Sequence, residues 1–279
     1  MSSRSRAGAT PVTSRWTLAV DFGTTFTVAA GLDDTGPAEV IEVAGERRVP
    51  SVVLVEPDGS IVAGRIAEEL AGTRPDSVLR APKSRLGDPA PIVLDGRPRS
   101  IVDLVAALLK VVLDEGTRQF GFAPTEVRLT HPALWGKSRL AQLVAAGAMA
   151  GMSNIVLVPE PVAAALAYWR RGDLAPGSKV VIYDLGGGTF DTAVLESTAE
   201  GFRVVGRPGG DLSVGGELFD ELLANAVGEQ LDPPVWEGIQ LSSDRRWRQI
   251  AAALRSEARR AKETMSAYAT ASLLLPLHD

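Results

Sequence analysis

The apolar run Val180-Val181-Ile182-Tyr183 passes directly into Asp184-Leu185-Gly186-Gly187-Gly188-Thr189-Phe190-Asp191. A strand therefore runs straight into three consecutive glycines and a threonine, with a carboxylate on each side. A backbone without Cβ can adopt positive φ and lets a ligand approach closely. Successive N–H groups in such a turn form a concave nest for anions. The flanking carboxylates would repel a bare phosphate, so the arrangement makes chemical sense with a divalent cation between them and the phosphates. The segment reads as a Mg²⁺–nucleotide site.

A weaker echo lies upstream, where Leu18-Ala19-Val20 leads into Asp21-Phe22-Gly23-Thr24-Thr25. One glycine-rich turn on its own is often only a tight turn; the pair carries the reading. Two such turns suggest two similar lobes, each presenting a phosphate-binding hairpin to one cleft.

Composition narrows the alternatives. The chain has 279 residues, 45% hydrophobic and 23% charged, which suffices for one large or two small cores. A net charge of -5 gives no general signal for nucleic acid or for an anionic membrane. The absence of cysteine excludes disulfides and thiolate metal sites and fits a cytoplasmic protein. His131 and His278 are too few and too far apart for a histidine metal cluster. Residues 1–15 are rich in Ser, Arg, Thr and Ala but lack the apolar core of a secretory signal, so they read as a disordered tail. The uncharged stretch Ala141 to Pro159 is too polar and too broken by glycine to span a membrane.

Strand and helix patterns are interspersed, which gives an α/β class. Strands are expected at 17–22, 26–32, 38–43, 51–55, 127–130, 155–158, 180–184, 191–196 and 202–206. Helices are expected at 63–71, 100–119, 137–150, 160–170, 215–229 and 243–265. The second of these helices places Ile101, Leu104, Val105, Leu108, Leu109 and Val112 on one face. The last carries Trp247, Ile250, Leu254, Ala258, Ala261 and Met265 on one side and a basic, solvated face on the other. Arg171 to Gly177 reads as a connector, with one lobe at 16–175 and a second at 176–279, and Gly206 to Gly216 reads as a loop. Gly136-Lys137-Ser138 looks like the end of a P-loop. The position of that motif's first glycine is His131, so a helix start is the better reading.

Four segments occur in order: Asp21-Phe22-Gly23-Thr24-Thr25, Pro159 to Tyr168 (PEPVAAALAY), Tyr183 to Asp191 (YDLGGGTFD) and Gly215 to Asp220 (GGELFD). Together they resemble the nucleotide-binding domain of Hsp70-type chaperones, within the actin/hexokinase/Hsp70 superfamily. The resemblance runs from about Trp16 to Asp279. It implies an actin-like ATPase (ribonuclease H-like) α/β fold, with two lobes around a nucleotide cleft, and ATP or ADP with Mg²⁺ as ligands. In a complete protein it implies ATP hydrolysis coupled to protein folding, with co-chaperones and unfolded clients as partners. Leu273-Leu274-Leu275 resembles the family's apolar interdomain linker but lies too early, and aligns with a strand of the second lobe.

Phosphoryl transfer needs positioning and charge neutralisation more than covalent chemistry. Asp21 and Asp184 are expected to hold Mg²⁺ through water. Gly23, Thr24, Thr25, Gly186, Gly187, Gly188 and Thr189 are expected to bind β- and γ-phosphate oxygens, and Asp191 to orient the attacking water or Mg²⁺-bound waters. The resemblance assigns Lys83 to the γ-phosphate, and Glu160 to the ordering of Mg²⁺ waters and a hinge. As a first-turn acid, Glu160 also suits a helix start. The resemblance further places Gly215 and Gly216 near ribose and phosphates, keeps Lys262 on the purine-contacting helix, and matches Pro132 and Arg139 to a relay of nucleotide state.

The sequence also departs from the family. Arg259 stands where the family has a glutamate. The family's second Gly-Gly motif, the helix returning to the first lobe and the peptide-binding domain are absent from these 279 residues. The expectation is an incomplete second lobe with exposed apolar sheet faces. Two alternatives accompany the ATPase reading. One is a catalytically weak nucleotide-sensing or scaffold module without turnover. The other, less favoured by the wording of the motifs, is a small-molecule kinase of the same superfamily.

Overall fold

A computed structural model of the chain describes residues 15–169 and 174–277. In chain order, β1 (Trp16–Phe22) and β2 (Phe26–Asp33) form a hairpin, followed by β3 (Glu39–Val40), β4 (Val49–Pro50), β5 (Val52–Val55), β6 (Ile61–Ala63), α1 (Arg65–Ala71) and β7 (Val78–Arg80). Then come β8 (Ile92–Leu94), β9 (Arg97–Arg99), α2 (Ile101–Phe120), β10 (Glu126–His131), α3 (Lys137–Met149), β11 (Ile155–Pro159) and α4 (Glu160–Trp169). The remainder is β12 (Lys179–Leu185), β13 (Phe190–Thr198), β14 (Gly201–Asp211), α5 (Gly216–Gly228), α6 (Pro233–Leu241) and α7 (Arg245–Met265).

A mixed sheet ordered β11-β10-β1-β2-β3 forms the first half, with β4 also paired to β2. β1 runs antiparallel to β2 and parallel to β10, which is parallel to β11. Period-2 alternation turns Trp16, Leu18, Val20 and Phe22 into the core, each at most 1% exposed. Helix α2 lies on them with Leu104, Leu108, Leu109 and Val112, the apolar face read from its spacing. Ser100 caps its start by accepting from the Val102 amide, and Gly121 ends it at φ 84, in the left-handed region. The Trp16 and Phe120 rings stack at 4.3 Å. A Cβ at Gly31 would overlap the Phe120 ring, which explains a glycine inside β2.

The second sheet is the antiparallel β12-β13-β14. Helix α4 covers one face, packing Ala165 and Val162 on Ala193, Leu195 and Ile182. The other face stays open: Val181 is 69% and Tyr183 71% exposed. Helices α5 and α7 pack through Ala224, Leu254 and Ala258. Among the described residues no helix is long and apolar enough to cross a membrane.

Most expected elements appear, with ends shifted by a residue or two. The strand expected at 38–43 shrinks to Glu39–Val40, although Ile41 is buried. The expected loop from Gly206 begins later, because β14 continues to Asp211. Its glycines pair through their backbones, Gly209 opposite Thr192 and Gly210 opposite Asp191, across a register shift. Residues 273–275 form no strand; Leu273 and Leu275 instead pack on the α5–α7 cluster. Helix α6 was not expected, although Asp232-Pro233-Pro234 is a legible helix start. Within the expected connector, residues 171–173 lie outside the described residues, while Ala175 to Ser178 form a turn.

This unequal packing predicts unequal sensitivity. Leu108→Ala should cost about 2–5 kcal/mol in urea denaturation, whereas Tyr183→Thr should stay within about 0.5 kcal/mol. Equal losses would mean that the open face of β12 is packed in solution.

Candidate nucleotide site

Both glycine turns are hairpin ends. β1 leaves the core at Phe22, and the Gly23 amide donates to the Asp21 carbonyl at 3.1 Å. A Cβ at Gly23 would overlap the Phe26 carbonyl, so only glycine permits this return. In the second hairpin Asp184 pairs with Asp191 and Leu185 with Phe190, and the Gly186 amide closes the turn on the Thr189 carbonyl at 2.9 Å.

The two turns lie directly against each other. A Cβ at Gly187 would overlap the Thr25 hydroxyl, and one at Gly188 would come within 2.5 Å of the Thr24 methyl. The start of α5 braces the second turn from behind: the Gly216 amide donates to the Gly186 carbonyl at 3.0 Å and the Glu217 amide to the Gly187 carbonyl at 2.7 Å. Gly215 packs so closely on Gly188 that a Cβ would lie 2.7 Å from its backbone.

Between the hairpins opens a cleft of about 530 Å³, lined among others by Asp21, Thr25, Lys83, Glu160, Asp184 and Thr189. Lys83 sits in a single 3-10 turn, Pro82–Arg85, and is only 4% exposed. Its Nζ donates to Glu160 Oε1 at 2.5 Å. It also lies 5.8 Å from the centre of the Trp135 ring, which Arg139 approaches at 5.9 Å. Thr130, at the end of β10, donates its hydroxyl to Asp21 Oδ1 at 2.8 Å. Asp191 is 3% exposed, and its Oδ1 has no partner.

Electrostatics in this cleft favour a cation. Burial is the main cause that pushes the Asp184 carboxyl above its ordinary value; Asp191 and Asp21 push the same way and Lys83 opposes them. Burial likewise raises Glu160, against the pull of Lys83. Burial also holds His131 below the usual histidine value, with its Nδ1–H donating to the Pro132 carbonyl at 2.9 Å.

The expected residues thus divide. Asp21, Gly23, Thr24, Thr25, Lys83, Glu160, Asp184, Gly186, Gly187 and Thr189 line the cleft. Gly188, Gly215 and Gly216 stand behind the lining and brace it. Lys262 is spent on α5, donating to the Gly216 carbonyl at 2.7 Å and pairing with Asp220 at 2.6 Å. Arg259 pairs with Glu263 at 3.1 Å and lies over the Phe26 ring at 5.4 Å. Thr130 and Phe26 also line the cleft without having been expected, and Ser51 donates to the Gly23 carbonyl. Phe26 directly follows the first turn, whereas no spacing rule links Thr130 or Ser51 to it.

The residues fit a Mg²⁺–nucleotide. Neighbouring carboxylates that help raise Asp184, an orphaned buried oxygen on Asp191 and glycines where a Cβ would overlap all describe a site shaped for a charged ligand. Among the described residues, no group of three or more His, Asp or Glu could hold a metal alone. A cation here would therefore share its coordination with water and phosphate oxygens.

A family model described as Hsp70 protein matches residues 94–278. That span takes in Glu160, the turn from Asp184 to Asp191 and Gly215-Gly216, while Asp21 to Thr25 and Lys83 precede it. Two-thirds of the sequence lie within this match, and facing glycine hairpins sit over one α/β cleft; the chain belongs to the Hsp70 family and has its actin-like ATPase fold.

Proposed function

We propose that this chain is an Hsp70-type ATPase module, which binds Mg-ATP between a lobe at 16–175 and one at 176–279. In a complete protein, hydrolysis would drive a chaperone cycle on unfolded clients, helped by co-chaperones. The observation that carries this reading is the direct apposition of the two glycine turns beside the buried Lys83–Glu160 pair. Bound Mg-ATP supplies the charge neutralisation and the leaving group of phosphoryl transfer.

The protein's own groups do the rest. The Thr24 and Thr25 hydroxyls and the Gly187 to Thr189 amides hold phosphate oxygens from opposite sides, the Gly186 amide being taken up by the Thr189 carbonyl. Asp21, oriented by Thr130, and Asp184 order water around the cation. Asp191 Oδ1 accepts a hydrogen from the attacking water, the partner that this buried oxygen lacks. Glu160 fixes the Lys83 ammonium at the cleft, where it steadies the charge on the transferred group. A module spanning both lobes reopens when the bridging phosphate is lost, so slow hydrolysis acts as a timer. The second reading, nucleotide sensing without turnover, draws on Arg259. It is held by Phe26 and Glu263, where the family's glutamate would meet the nucleoside.

Phosphate release tests the assignment of Lys83. Lys83→Ala should lower turnover by at least about 100-fold while Mg-ATP affinity changes only a few-fold. Because truncation strands the buried Glu160, the double variant Lys83→Ala/Glu160→Gln should recover stability without recovering turnover. Turnover at the wild-type level in either variant removes Lys83 from the mechanism.

The raised Asp184 carboxyl predicts a pH dependence. A folded pKa above the unfolded one stabilises the ligand-free chain at low pH, and that stability is lost as pH rises through the raised value. Wild type should therefore lose stability relative to Asp184→Asn as pH rises above the ordinary aspartate range. Mg-ATP affinity should rise over the same interval. Parallel urea-denaturation curves for the two proteins at every pH would show that Asp184 is not perturbed.

A further inference from the structure

Ser51 lies between β4 and β5, is 1% exposed, and makes a contact with each of its polar groups. Its amide donates to the Thr25 carbonyl at 2.8 Å. Its hydroxyl donates to the Gly23 carbonyl at 2.8 Å and lies 3.0 Å from the Thr27 hydroxyl. Its own carbonyl accepts from the Ala81 amide at 3.0 Å. Ala81 has φ 50 and ψ 51 and directly precedes the 3-10 turn that carries Lys83. The next link is the Ser84 amide, which donates to the Ala81 carbonyl at 3.0 Å.

Proton counting fixes the direction of this chain. A serine hydroxyl has one hydrogen, and the Gly23 carbonyl can only accept. The Thr27 hydroxyl must therefore donate to Ser51, and Ser51 to Gly23. Such a relay strengthens each of its bonds. It ends on the carbonyl of Gly23, a residue at which a Cβ would overlap the Phe26 carbonyl.

We propose that Ser51 is a positioning residue, which holds the first phosphate turn and the Lys83 turn in one fixed geometry. This rests on the ATPase reading above for its effect on turnover, but not for the structural link itself. Its side chain sets the Gly23 peptide, and through it the amides and hydroxyls of Thr24 and Thr25. Its carbonyl sets Ala81, and through it the ammonium of Lys83. A ligand phosphate held by Thr24 and Thr25 is thereby kept at a constant distance from the lysine. Thr27 orients Ser51 and acts on the cleft only through it.

The test uses Ser51→Ala and Thr27→Val, the second of which keeps the side-chain shape while removing the donor. In the ligand-free chain, amide hydrogen exchange at residues 23–27 and at 81–86 should speed up together in both variants, with α2 unchanged. At saturating Mg-ATP, kcat should fall about tenfold in Ser51→Ala and about threefold in Thr27→Val, with a smaller change in nucleotide affinity. Introduced into Lys83→Ala, Ser51→Ala should lower turnover no further. Exchange confined to one of the two turns would overturn the proposal. So would a lower melting temperature with kcat intact. If the wild type neither binds nor hydrolyses ATP, the ATPase reading falls, and the exchange result alone decides whether Ser51 couples the two turns.

Discussion

The glycines of one turn press against the threonine side chains of the other, Gly187 on Thr25 and Gly188 on Thr24, and the rest of the cleft is arranged around that contact. Each turn follows a strand with an aspartate next to its end, so closing the turns also brings Asp21 and Asp184 into the lining of the cleft. The resulting crowd of carboxylates is unfavourable in an apolar setting, which is why burial and mutual repulsion raise Asp184. Lys83 offsets part of this charge. A cation with its phosphates would offset the rest, so the ligand-free site stores an affinity for what it is proposed to bind.

The halves of the chain support this contact unequally. Around α2 the first sheet has a dense core that runs from Trp16 to Met152. The second sheet has α4 on one face and an open face on the other. Beyond the hairpins, α7 reaches the first half through the Arg248–Asp76 ion pair at 2.8 Å and through Arg259 over Phe26. Both partners of that ion pair are more than a third exposed, and such pairs contribute little to stability. The geometry of the cleft therefore depends on the rigid first half and on the α5 amides that brace the second turn.

Much of this was legible in the sequence because it follows from local rules. Strand alternation in Trp16–Phe22, the apolar face of α2 and the pairing of two aspartate–glycine turns all depend on neighbours in the chain. Gly206 to Asp211 was misjudged because antiparallel pairing uses backbone groups, which glycines supply as well as any residue. Ser51 and Thr130 were invisible for a different reason. Their partners lie 28 and 109 residues away, and a lone hydroxyl carries no period or spacing. Lys83 and Glu160 came only from the family resemblance; their burial as a pair is a fact of the tertiary structure.

Calorimetric titration of the folded chain with Mg-ATP, beside Asp184→Ala, tests the central claim most directly. The account predicts saturable binding at a stoichiometry of about one, as one cleft formed by two hairpins requires, with loss of that binding in the variant. Absence of binding by a chain whose fold is confirmed by circular dichroism, or binding that persists undiminished in Asp184→Ala, would contradict it.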